Sequence, residues 1–166
     1  MGCDHALSGK ISKVEHWAAL RKGGFPPVEA YHAAVTIHME DDNRSYSFAF
    51  SNAIPENLEG PGALYCQEGT PPFSNWFANG DSSDNGWGIL DSQPPGKDPS
   101  AKNLMAVATA WASSHPLYSI NACELGCIGV ADCQCTASWL FHDVSGKYPK
   151  LAPEHMDPNC YRATPH

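Results

Sequence analysis

Two residues of this 166-residue chain combine a reactive side chain with a setting that could use it: Cys133 and His32. Ala137, Leu140, Phe141 and Val144 recur at helical spacing, and Gly146 supplies a C-terminal stop. One turn back from Ala137 lies Cys133, in the first turn and on the same side. Free N–H groups and the helix dipole at this end stabilise a thiolate and lower its pKa. The same N–H groups could hold an oxyanion. Such a cysteine needs a base, and a histidine on a neighbouring strand would serve. Taken singly, each residue has a bland reading: a buried Cys is usually an inert small hydrophobe, and a strand His is usually structural or solvated. Together they point to a thiol hydrolase.

Other chemistry competes for the same residues. The seven cysteines are Cys3, Cys66, Cys123, Cys127, Cys133, Cys135 and Cys160. The number is odd, so at least one is free or bridges to another chain. Cys123, Cys127, Cys133 and Cys135 could form a zinc module, although structural zinc sites favour C-x2-4-C pairs over a C-x-C half. His38-Met39-Glu40 matches the H-x-E element of zinc deaminases, but Asp132-Cys133-Gln134-Cys135 lacks the P-C-x-x-C that goes with it. A non-catalytic binder that keeps Cys133 as packing is the third alternative.

The elements that must position these residues follow from the pattern. Ser12-Lys13-Val14-Glu15 is a capping box, predicting a helix with Val14, Trp17, Ala18 and Arg21 on one face, stopped at Gly23-Gly24. Residues 31–40 alternate strictly. Tyr31, Ala33, Val35, Ile37 and Met39 form one face; His32, Ala34, Thr36, His38 and Glu40 form the other. A turn at Asp42-Asn43 leads to a second strand with Tyr46, Phe48 and Phe50 on one side. Closing this hairpin, 30–52, joins the apolar faces and leaves His32 and His38 on a polar face among small neighbours. Residues 53–98 read as a long loop region with short extended pieces near 63–65 and 87–90. Asp98-Pro99 offers the start of a helix over 100–113, with Leu104, Val107, Ala108 and Trp111 on its stripe. A short strand, 117–120, precedes the Cys-bearing helix at 132–145, and 147–166 forms a C-terminal tail. The whole, 1–166, reads as a single domain.

Several of these stretches resemble the PPPDE family of thiol peptidases, which includes the deSUMOylating isopeptidases. Tyr31-His32-Ala33-Ala34-Val35-Thr36-Ile37 resembles the strand that bears that family's catalytic His. Tyr46–Ile54 resembles its aromatic second strand. The helix at 101–113 and Leu117-Tyr118-Ser119-Ile120 resemble the elements before the nucleophile. Asp132-Cys133-Gln134-Cys135-Thr136 resembles the Asn-Cys-x-x-Phe helix start. The match spans residues 28–149. It departs at Asp132 and Thr136, and in the long stretch between Tyr118 and Cys133, where Asn121-Ala122-Cys123-Glu124 is a rival match. Gly126 and Gly129 would spoil a helix begun at Cys123, so Cys133 is favoured over Cys123 and Cys135. The resemblance implies an α+β, circularly permuted papain-like fold, with an antiparallel sheet packed against helices. It is shared with lecithin:retinol acyltransferase-like and some NlpC-type proteins. It implies a Cys133–His32 dyad acting through an acyl-enzyme on a protein or peptide-like amide, a ubiquitin-like conjugate among the candidates. A thiol acyltransferase or thioesterase is the alternative. Members of the family can pair as homodimers across the groove. His38 is assigned to the substrate side.

Composition bounds the partners. A formal charge of −8, with ten scattered Lys and Arg, disfavours nucleic acid. No apolar run is long enough to span a membrane. The start does not resemble a signal peptide, and Ala6 departs from the myristoylation pattern. These readings predict a cytoplasmic protein without cofactor or metal, in which structural disulfides are the weaker assumption and the disulfide or zinc status of Cys123, Cys127 and Cys135 stays open.

Overall fold

The computed structural model describes residues 9–23, 28–40, 43–53, 59–71, 87–96, 100–119, 122 and 129–150. It is an α+β arrangement of seven strands and two helices. The strands are β1 (Ile11–Gly23), β2 (Val28–Met39), β3 (Ser45–Asn52), β4 (Glu59–Glu68), β5 (Gly88–Gln93), β6 (Leu117–Ser119) and β7 (Val130–Ala131). The helices are α1 (Ala101–Ser114) and α2 (Cys133–Ser145). All the strands lie in one sheet of order β5-β1-β2-β3-β4-β6-β7. Every pairing is antiparallel except β6 with β7.

The β2–β3 hairpin joins its apolar faces as the alternation requires. Ile37 lies opposite Tyr46 and Val35 opposite Phe48, and all four are buried with Ala33 and Phe50. This face packs against the stripes of both helices: Ala101, Leu104, Ala108 and Trp111 of α1, and Ala137, Leu140, Phe141 and Val144 of α2. The Trp111 indole N–H donates to the Thr136 hydroxyl at 2.8 Å, tying the helices together in the core.

Three parts of the architecture differ from the sequence reading. Residues 11–23 form a strand, not a helix. Both capping-box side chains serve the sheet instead: Ser12 donates to the His38 carbonyl at 3.1 Å, and the Glu15 carboxylate binds the His38 ring. Within 53–98, the extended pieces expected near 63–65 and 87–90 belong to longer strands, β4 and β5. β4 pairs with β3 from Tyr46↔Glu68 to Asn52↔Gly62, and β5 pairs with β1. Register with neighbouring strands, which local composition does not encode, makes them strands. Finally, α1 is capped by Ser100, whose side chain accepts the Asn103 N–H at 2.9 Å.

Candidate functional site

The geometry around Cys133 begins with a split in the sheet. β2 and β3 are paired only from Val35↔Phe48 to His38↔Ser45. Beyond that, β2 runs back to Val28 against β1, and β3 runs on to Asn52 against β4. At the first position past the split stand Ala34 and Ala49, and Cys133 packs against both. Alanine at these two positions leaves the room that the first residue of α2 occupies.

α2 starts here because Asp132 caps it. Its backbone is extended, and its carboxylate accepts the Cys135 N–H at 2.7 Å. Gly146, at φ 76°, closes the other end in the left-handed conformation. The first-turn N–H groups of Cys133 and Gln134 are thereby left to the sulfur. They donate to it together with the N–H of Ala33, which lies beyond the last β2–β3 pair.

His32 belongs to the same face of the sheet as Ala34, and it immediately precedes the residue whose N–H reaches the sulfur. Both side chains are buried, His32 at 6% exposure and Cys133 at 5%, and His32 Nε2 is sealed from solvent. Trp17, Tyr65 and Trp87 pack against the cluster that Cys133 forms with Ala34 and Ala49. None of these aromatics is marked by local sequence. Trp17 reaches the site because β1 sets it opposite Ala34, and Tyr65 because β4 sets it opposite Ala49.

Burial in this cluster reverses the electrostatics expected of a helix N-terminus. The Cys133 thiol is pushed up to about 12, first by burial and then by the neighbouring Asp132 carboxylate. The three N–H groups act in the opposite direction but do not offset the desolvation. Cys133 therefore rests as a protonated thiol, not as the low-pKa thiolate that the sequence suggests.

The other candidates separate from it. Of the three cysteines among the described residues, Cys133 is free, whereas Cys66 and Cys135 are disulfide-bonded. A disulfide sulfur is neither a nucleophile nor a zinc ligand, so Cys135 leaves both roles. This removes the C-x-C half of the zinc reading and the cysteine pair of the deaminase reading. It also decides the open status of Cys135 in favour of a disulfide, the weaker assumption from sequence alone. Cys123 and Cys127 lie outside the described residues.

His38 is on the face of His32 but four residues past Ala34, about 13 Å along an extended strand. Its Nε2 lies 2.5 Å from Glu15 Oε1. The buried Glu15 carboxylate also accepts the Trp17 indole N–H at 3.2 Å and lies 3.5 Å from the Lys13 ammonium. Glu15 thus links His38 to an aromatic packed against the Cys133 cluster, a role that the capping-box reading concealed. Between them on this face, Thr36 donates to Ser47 at 2.6 Å, and Ser47 donates to the Gly69 carbonyl at 2.7 Å.

No protein-family model matches this chain, and no curated protein or solved structure matches it either. Among the described residues, no helix is long and apolar enough to cross a membrane.

Proposed function

We propose that the protein is a cysteine-dependent hydrolase of the isopeptidase or amidase type, related to the permuted papain-like thiol peptidases, with Cys133 as nucleophile and His32 as base. The observation that carries this reading is the placement of the one free thiol among the described cysteines. It clusters with Ala34 and Ala49 at the end of the β2–β3 pairing, Ala34 sharing its strand face with His32, and the backbone N–H groups of Ala33, Cys133 and Gln134 hydrogen-bond to its sulfur.

The thiol rests protonated, so the nucleophile forms only as the reaction begins. Cys133 Sγ attacks the carbonyl carbon as its proton passes to His32. The N–H groups of Cys133 and Gln134 are placed to take the charge that moves from sulfur to the substrate oxygen. His32 then returns the proton to the leaving amine, and water releases the acyl group. The aromatics packed against the Cys133 cluster exclude bulk water and must yield to admit an acyl chain. His38 and Glu15, at the far end of the same face, are assigned to substrate contact beyond the scissile bond. The disulfide-bonded Cys66 and Cys135 favour an oxidising compartment over the cytoplasm.

The test is covalent labelling by a peptide-like electrophile, such as a peptidyl vinyl sulfone, read by intact mass and site mapping. Labelling is expected at Cys133, and His32→Ala should slow it by about 100-fold or more, the usual worth of a positioned base. Equal rates in the wild type and His32→Ala, or labelling in proportion to exposure alone, would reject the dyad and leave Cys133 as packing.

A further inference from the structure

The hairpin tip between β2 and β3 carries a feature that no hydrolytic reading uses. Asn43-Arg44-Ser45 is an Asn-x-Ser sequence with no proline at its centre. Of the nine asparagines in the chain, Asn43 alone has Ser or Thr two residues on. An isolated match of this kind arises often by chance. Two structural observations give it weight.

The first is the setting of Asn43. It is exposed, as is Arg44. Its φ of 55° places it in the left-handed region, which Asn tolerates at a turn. The hairpin is closed by backbone groups, with the Met39 N–H donating to the Arg44 carbonyl at 2.8 Å. The Asn43 carboxamide makes no hydrogen bond among the described residues. A bulky group on Nδ2 would break no hydrogen bond to the described residues. The tip also lies at the opposite end of the β2–β3 pairing from Ala34 and Ala49, which flank the thiol.

The second observation is independent. Cys66 and Cys135 are disulfide-bonded, and protein disulfides form and persist mainly in secretory and extracellular compartments. The enzymes that attach glycans to Asn-x-Ser sequences work in that same pathway.

We propose that Asn43 is an N-glycosylation site of a protein that passes through the secretory pathway. The donor is a lipid-diphosphate oligosaccharide. Asn43 Nδ2 forms the bond to the anomeric carbon, the bond from that carbon to the diphosphate oxygen breaks, and the amide proton leaves to a base. No redox change occurs. The Ser45 hydroxyl is the element of the sequence that the transfer requires. The proposal is independent of the Cys133–His32 reading.

The test is to produce the full chain behind a secretion leader in a eukaryotic host, and to measure intact mass before and after peptide-N-glycosidase in heavy-oxygen water. Intracellular and secreted pools are both measured. One glycan is expected, with Asn43 converted to labelled Asp on release. Asn43→Gln and Ser45→Ala should abolish it, and Ser45→Thr should retain it. Glycosylation precedes complete folding, so the intracellular pool reports even where a variant is not secreted. A disulfide-bonded chain without glycan at Asn43 in both pools, or a shift that survives Asn43→Gln, would overturn the proposal.

Discussion

Cys133 shows two opposed effects acting on one sulfur. The first turn of α2 and Ala33 supply N–H donors that favour the thiolate, while burial and the Asp132 carboxylate favour the thiol; the second pair wins. Asp132 has two separable roles, as a cap through its oxygen and as a brake through its charge. Asp132→Asn keeps an acceptor for the Cys135 N–H and removes the charge. The thiol pKa should fall in this variant, and the pH profile of iodoacetamide alkylation should move to lower pH. Asp132→Ala removes the charge too, but it also loses the cap, which costs about 1 kcal/mol of stability. Comparing the alkylation profiles and urea midpoints of both variants separates the roles. An unmoved profile in Asp132→Asn would show that burial alone holds the thiol protonated.

At the scale of elements, what was legible was local. α2 announces itself through its cap, its apolar stripe and Gly146, and β2 through strict alternation, so the two elements that carry Cys133 and His32 could be placed from sequence. β1 could not. Ser12 and Glu15 have capping-box spacing, and Val14, Trp17 and Ala18 fit a helical stripe over so short a run. Only pairing with β2 and β5 decides in favour of a strand, and that pairing is a long-range fact. The aromatic surroundings of the Cys133 cluster were hidden for the same reason, since their members come from separate parts of the sheet. β4 was obscured by Gly60, Pro61 and Gly62, residues that usually interrupt strands. Gly62 has a packing reason to be there: a Cβ at this position would lie 2.2 Å from Phe50 Cζ. Phe50 is fully buried, so its ring has little freedom to retreat. Gly62→Ala should therefore destabilise the protein by roughly 1–3 kcal/mol, as overpacking does, read as a lower urea midpoint. An unchanged midpoint would mean that the β3–β4 contact is looser than this geometry requires.

At the scale of the whole molecule, one contact ties the first strand to the segment that follows α2. His16 of β1 is fully buried, edge-on to Phe141 of α2, and its Nδ1–H donates to the Lys150 carbonyl at 3.3 Å. Asp91 of β5 accepts the Lys150 N–H at 3.0 Å. One strand from each side of the β1–β5 pairing thus grips one backbone group of the segment that follows α2. Burial holds His16 down at about 4 from its ordinary 6.5, against the opposing influence of the Lys150 carbonyl and the Asp91 charge. The unfolded chain therefore binds more protons at position 16 than the folded one between these two values, and stability rises with pH across that window. The contribution is fully present above about pH 6.5 and is lost as pH falls toward 4. Two and a half pKa units correspond to about 3 kcal/mol, a sizeable share of the stability of a small domain. His16→Phe retains a ring against Phe141 but has no proton to bind. It should be less stable than the wild type at pH 7, through the lost bond to Lys150, and its stability should change less between pH 6.5 and 4. Urea unfolding at half-unit steps measures both slopes. Parallel curves for the two proteins would show that the carboxylates, and not His16, set the acid sensitivity of this fold.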